Sequence, residues 1–312
     1  VFSPLRAKSR VSQSGFRNRV ARALLLTLLL GMTATAHDAS FDRATSGGRA
    51  EKAEQCCQGL EAWVAGLDLH EVNREFCNDR RNLMRFAVAR RGNLEGARKQ
   101  LEKALKWREE HLTVDPLDLK CEDCEANGRS HCFFSLGLDT LGRNVVYASA
   151  PRALTNEAHG AVMHMSRTLE LGWSHGHVAP QWVWIVDFNG FSMKDAMQIK
   201  TSVAVMSTFT DVMPERLGEI LLVNPPTILS IILAAIKPFV DDRTMSKVVR
   251  VKMKLGEDVS SHSNPSLHTL QPCQQDWLSK ALTYKPVAGS LPPIHGLDTD
   301  GLLFATGAPV NE

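Results

Sequence analysis

The chain has only two tyrosines among 312 residues, aromatics make up 6% of it, and its formal charge is just +2. It lacks an apolar run approaching the roughly 20 residues that a bilayer-crossing helix needs. It also lacks the basic surplus from which nucleic-acid binders draw their affinity. Residues 1–37 hold six Lys/Arg and no acidic residue, which leaves 30 basic against 34 acidic residues in the body. Enzyme signatures are missing too: there is no Gly-x-Ser-x-Gly elbow, no His-Glu-x-x-His and no Gly-x-Gly-x-x-Gly. Gly137 to Gly142 has the spacing of a phosphate loop but continues Arg143-Asn144. Neither catalysis nor a cofactor is therefore expected. Seven cysteines are an odd number in a chain too long to need disulfides, which favours reduced thiols.

What is present reads as a globular α/β chain with 44% hydrophobic and 22% charged residues. Residues 1–37 join a basic stretch to the apolar run Ala23–Leu30 and the small residues Ala34-Thr35-Ala36. This reads as a signal or transit leader, or else as a disordered basic tail. Residues 38–70 read as a linker, with a first helix around Leu60 to Leu69. Residues 71–112 read as a small helical unit. In it Leu83, Met84, Phe86, Ala87 and Val88 alternate with Arg80, Arg81, Arg85, Arg90 and Arg91 to give a helix with a basic face. Gly92-Asn93 ends that helix, and Leu94 to Trp107 repeats at helical spacing.

Residues 113–262 carry the sheet. Phe133 to Tyr147 reads as two strands joined by a turn at Asp139 to Arg143. Helical spacing at 157–171 leads to the buried strand Trp182 to Val186, stopped by Asp187-Phe188-Asn189-Gly190. A helix through Val203 to Phe209 then precedes the strand Ile220 to Asn224, so the pattern is a mixed sheet flanked by helices. The segment Thr227 to Ile236 is apolar on nearly every face; it is either a core helix or a movable cover that touches membrane. Residues 263–312 read as a loosely ordered tail with one short helix near Gln274 to Leu282.

Cys121, Cys124, His131 and Cys132 lie within twelve residues and are candidates for a small zinc site, with free thiols as the alternative; no metal is assigned on spacing alone. His159, His164, His175 and His177 read as surface or turn residues.

One constellation is more specific. Met213-Pro214-Glu215-Arg216-Leu217-Gly218, the strand ending Asn224-Pro225-Pro226, the apolar segment, Lys237-Pro238 and Thr244-Met245-Ser246-Lys247 follow one another in an order that resembles the CRAL-TRIO lipid-binding family. Leu83 to Arg90 and Asp187 to Gly190 extend the likeness over roughly residues 71–252. The resemblance implies an apolar cavity between the sheet and a gate helix, here lined by Trp182, Trp184, Ile228, Leu229, Ile231, Ile232, Leu233 and Ile236. It further implies that Arg90, Glu215, Thr244 and Lys247 meet the headgroup of a phosphatidylinositol-type lipid. Trp182 and Trp184 stand where phosphatidylcholine-binding members place Ser and Thr, which fits an isoprenoid or sterol as well as a diacyl lipid.

The expected partners are thus a phospholipid or other lipophilic ligand and, transiently, a membrane surface, with no nucleic acid and with the chain monomeric. Cytoplasmic residence with peripheral membrane contact is favoured for the body, the leader leaving organelle or secretory targeting open. The alternative is a protein-interaction module of the same fold that exchanges no lipid.

Overall fold

The computed structural model describes residues 46–290, except 116–117, 156, 175–180, 193–194, 196–203, 206–207, 228, 230–244 and 285. Four helices open it: α1 (Ser46–Val64), α2 (Glu71–Asn78), α3 (Arg80–Ala89) and α4 (Leu94–His111). Each break between α2, α3 and α4 has a local cause. Asp79 ends α2 and caps α3 by accepting from Arg81 N, and Gly92, at φ +80°, turns the chain so that Asn93 can cap α4 through Gly96 N. Cys56, Cys57 and Leu60 of α1 are buried against Phe86, Ala97 and Leu101. The expected linker over 38–70, with a helix only around Leu60 to Leu69, is therefore corrected: Ser46–Val64 is a helix of the N-terminal core, written with an apolar face too weakly periodic to stand out.

The short α5 (Glu122–Ala126) leads into β1 (Phe133–Leu138) and β2 (Asn144–Ala148), an antiparallel pair. Its turn is fixed by Asp139, whose carboxylate accepts from Leu141 N, Arg143 N and Arg143 Nε, while Gly142 takes φ +74°. α6 (Ala158–Ser174) crosses to β3 (Trp182–Asp187), and β4 (Leu217–Val223) and β5 (Val248–Val251) complete a sheet of order β1-β2-β3-β4-β5 in which β2 to β5 are parallel. This is the mixed α/β sheet that the sequence predicts; only β5 escapes that reading.

The parallel connection from β2 to β3 runs through α6 on one face of the sheet. On that face α6 packs Val162, Met165 and Leu169 with Phe133, Val146 and Trp182. The opposite face, which carries Phe134, Leu136, Val145, Tyr147, Val183, Ile185, Leu221 and Val251, needs a separate cover. The chain after β5 provides it: α7 (Pro272–Thr283) and the 3-10 turns Val259–Ser261 and Pro265–Thr269 bury Leu267, Leu270, Trp277, Leu278 and Leu282 there. The expectation of a loose tail from residue 263 is thereby corrected as far as residue 290.

Buried polar groups lock this cover in place. Arg152 donates through Nη2 to the carbonyls of Ala281 and Tyr284 and through Nη1 to that of Ser290, with Nε 3.6 Å from Asp187. Asp187 also accepts from the Tyr147 hydroxyl at 2.6 Å and from Asn189 N. Asn224, held at φ +50°, bonds to Asn189 and to both backbone groups of Met253. The Asp187 to Gly190 turn and the Asn224 corner are thus joints where the strand ends meet the C-terminal cover. No helix among the described residues is long and apolar enough to cross a membrane.

Candidate functional site

On the crossover face, β3 to β5 present an apolar strip that the packing against α6 does not reach. Leu222 is buried, while Val186, Phe188, Ile220, Leu229, Met245 and Val248 around it are half-buried. In a parallel sheet both faces are ordinarily covered and the strands fully buried, so half-buried aliphatic side chains in the middle of this face mark a wall. Of the expected gate residues, Leu229 borders this strip; Ile228, Ile231, Ile232, Leu233 and Ile236 lie outside the described residues.

Polar groups stand where β4 and β5 begin. Glu215 precedes β4 in a left-handed backbone conformation, φ +58°, and its Oε2 lies 3.9 Å from Lys247 Nζ just before β5; both side chains are mostly buried. An L-residue other than Asn or Asp rarely takes that conformation without a reason; here the Glu215 carboxylate meets Lys247. Arg90 caps the end of α3 and donates from Nε to Gln100 Oε1 at 2.8 Å, and Gln100 Nε2 donates to the Thr210 carbonyl at 2.9 Å. This chain of bonds ties Arg90 to the segment that runs on to Glu215. Thr244 lies outside the described residues.

Trp182 is buried against Phe209, with the Arg216 guanidinium 5.4 Å above its ring. Trp184 is half-buried, edge-on to Phe133 and Phe209, and among the described residues its indole Nε1 finds no acceptor. A second concavity, of about 450 Å³, lies between α4 and the start of α6, where Trp107 stacks on His111 and Val162 and Val212 form the floor.

A buried charge cluster that the sequence reading missed joins the helical unit to the sheet. Glu170 of α6 meets Arg108 Nη1 at 3.2 Å and Arg216 Nη2 at 3.9 Å, and Arg85 lies close enough to feel both Arg216 and Glu170. All four residues are buried, Arg216 to 2% exposure. Burial pushes the Glu170 carboxyl up, but Arg108 and Arg216 outweigh it and hold the group below the usual carboxylate range. Burial lowers the Arg216 pKa to about 10, with Glu170 opposing. Arg108 also covers the Phe76 ring at 4.0 Å. Arg85 is therefore not on the expected basic face; it points inward to Asn82, and the only hint was its place in an otherwise apolar row. Arg80 and Arg81 are exposed, yet Arg80 pairs with Glu54 and Glu61 and Arg81 with Asp79.

The cysteine-rich stretch does converge, with one exchange of members. Cys121, Cys124 and His164 bring their ligand atoms within 4.8 Å of one another, and His131 packs its ring 4.9 Å from that of His164. Cys132 is on the other face with Phe134, as strand alternation requires, and leaves the set. His164, expected at the surface, is 2% exposed in the middle of α6. His159 is exposed as expected, while His175 and His177 lie outside the described residues.

The sheet thus carries a half-buried apolar strip with a polar pair at its edge and a helical unit clamped alongside. Residues 128–268 match the CRAL/TRIO domain. Among its relatives, "Protein real-time" of Aedes aegypti is 25% identical over 198 residues, 57% of this chain and 30% of that protein. The SEC14 cytosolic factor of Kluyveromyces lactis is 28% identical over 189 residues, 54% of this chain and 62% of the relative. The phosphatidylinositol transfer protein PDR17 of Saccharomyces cerevisiae is 26% identical over 205 residues, 62% of this chain and 56% of the relative. The chain thus spans between 30% and 62% of the length of these relatives. The crystal structure of Sfh5 superimposes with a TM-score of 0.40 at 21% identity, covering 52% of this chain and 62% of that one.

Proposed function

We propose that this chain binds one lipid or lipophilic molecule against the apolar wall of β3 to β5 and exchanges it with membranes, without covalent chemistry. The observation that carries this reading is the half-buried strip Val186, Phe188, Ile220, Leu229 and Val248, with Glu215 and Lys247 at the strand ends beside it. The names of its relatives, one of them a phosphatidylinositol transfer protein, support it.

The preferred ligand is a phosphatidylinositol-type phospholipid. An acyl chain moved from a bilayer to such a wall stays buried, so the net free-energy change is small and reversible. Selectivity then falls to the polar end. Lys247, with Arg90 and Thr244, offers cationic and hydroxyl donors to a phosphodiester, and Glu215 accepts from inositol hydroxyls. The Glu215–Lys247 pair fills those bonding sites until a headgroup replaces it. Trp184, with its unaccepted indole N–H, widens the range of ligand to a flatter molecule such as an isoprenoid or sterol.

Membrane attraction through Arg80 and Arg81 is weakened by their carboxylate partners, which places more of the docking on the segment 227–236. The test is transfer of labelled phosphatidylinositol and of a labelled apolar ligand between vesicles by wild-type and Lys247→Ala protein. Losing one charge-assisted hydrogen bond, about 1.5–3 kcal/mol, should weaken phosphatidylinositol binding about ten- to hundredfold and leave the apolar ligand unchanged. Equal loss of both ligands sinks the headgroup assignment. Failure of the folded wild-type protein to exchange any lipid would favour an interaction module instead.

A further inference from the structure

Two of the seven cysteines are spaced Cys-x-x-Cys at the mouth of α5, and lipid binding makes no use of them. Cys121 is the N-cap residue of that helix without capping it through its side chain, and Cys124 lies one turn on. Both are buried, at 6% and 8% exposure, and both thiols are free. Cys124 Sγ is 3.3 Å from Nδ1 of His164, which reaches the site from α6, forty residues along the chain.

The hydrogen bonds around the two imidazoles set their lone pairs. His164 Nε2 lies 2.6 Å from the Phe133 carbonyl, which can only accept, so Nε2 carries the proton and Nδ1 faces the sulfur as a bare lone pair. His131, at 6% exposure, packs its ring 4.9 Å from that of His164 and has its Nε2 3.4 Å from the Asp123 carboxylate. His164 thus has one nitrogen bonded to an oxygen acceptor and the other facing the thiol. This is the outer-shell arrangement that orients histidine on a metal.

The dimensions agree. Zn–S bonds of about 2.3 Å and Zn–N bonds of about 2.0 Å at tetrahedral angles put ligand atoms about 3.5–3.8 Å apart, and the Cys121, Cys124 and His164 atoms fall within 4.8 Å of one another. Two thiols and one imidazole converge here and a second imidazole packs against the first, the donor types of a closed structural zinc site.

We propose that Cys121, Cys124, His164 and His131 bind one Zn²⁺, which fastens α5 and the entry to β1 onto α6. Binding displaces the two thiol protons to solvent and leaves the imidazoles neutral. The ion ties residues 121–131 to the helix that also carries Glu170, and so stiffens the side of the fold that holds the helical unit against the sheet.

The full chain, purified and exposed to Zn²⁺ and then desalted, should retain about one zinc per molecule by elemental mass spectrometry. Loaded with Co²⁺ instead, it should show the intense visible bands of tetrahedral thiolate ligation. Cys121→Ser and His164→Ala should each lower retained zinc at least about tenfold, while Cys132→Ala, which alters the neighbouring thiol on the other face, should retain it. Because a ligand variant could fail to fold, zinc release from the wild-type chain by a chelator is followed in parallel; it should lower Tm and free two thiols for titration. Wild-type protein that retains no zinc with all seven thiols titratable overturns the proposal. So does retention that depends on Cys132, or a Cys121–Cys124 disulfide in protein purified under reducing conditions.

Discussion

Replacing Glu170 with Gln keeps the shape of the side chain and removes its charge, so any loss of stability reports electrostatics rather than a cavity. In the folded protein that carboxylate sits between Arg108 and Arg216, with Arg85 close by, all at 8% exposure or less. Without it, three buried guanidinium groups lose the carboxylate that Arg108 and Arg216 contact and that Arg85 feels. Breaking a buried pair by deleting one partner costs about 3–5 kcal/mol. For a domain of this size, at about 2–4 °C per kcal/mol, that lowers Tm by about 6–20 °C. Differential scanning calorimetry of the two proteins at neutral pH measures it directly. A second removal should give part of the loss back: Glu170→Gln combined with Arg216→Met should be more stable than Glu170→Gln alone, because one uncompensated charge is gone. A change in Tm below about 2 °C, the size expected of a solvent-screened surface pair, would refute the reading of this cluster as the clamp between the helical unit and the sheet.

The same cluster predicts an acid limb. With its folded pKa held below the usual carboxylate range, Glu170 contributes stability that is complete above the unfolded value of about 4.3 and lost as pH falls through the folded one. Denaturant midpoints measured from neutral pH downwards should therefore decline less steeply for Glu170→Gln than for wild type, and parallel declines would count against it. Ending the chain at His262 removes Leu267, Leu270, Trp277, Leu278 and Leu282 from the sheet's second face. At about 2 kcal/mol for each large buried side chain, that is about 10 kcal/mol, comparable to the whole stability of a typical domain. The truncated protein should be insoluble or molten, and a soluble form unfolding cooperatively at the wild-type Tm would show that the cover is dispensable.

How much could be read in advance depended on how local each signal was. The paired helices α3 and α4, with Gly92-Asn93 between them, follow from helical spacing and capping chemistry that a short window contains. The turn at Asp139 to Arg143, the buried runs of β3 and β4, and the family order of the Glu215, Asn224 and Lys247 motifs are equally local. β5, only Val248–Val251, was too short to stand out beside the apolar segment before it. α1 was expected only around Leu60 to Leu69 and not from Ser46, because its buried face is built partly from Cys56 and Cys57, and α7 was expected but its role was not.

Roles that depend on which face or which distant neighbour a residue meets had no local signal. Adjacent Cys132 and Phe133 part to opposite sides of the sheet, while His164 arrives from forty residues beyond Cys124 to complete the cluster. Arg85 lies on a helix rich in arginine, and only the approach of Glu170 and Arg216 turns it from a surface charge into a buried one. The amino-acid order by itself determined the class of fold, the succession of elements and the motifs of the family, because periodicity and turn chemistry act over a few residues. The tertiary structure alone decided that the chain after β5 closes the second face, that three arginines share one carboxylate, and which thiols and imidazoles meet, because burial and ion pairing are settled by neighbours in space.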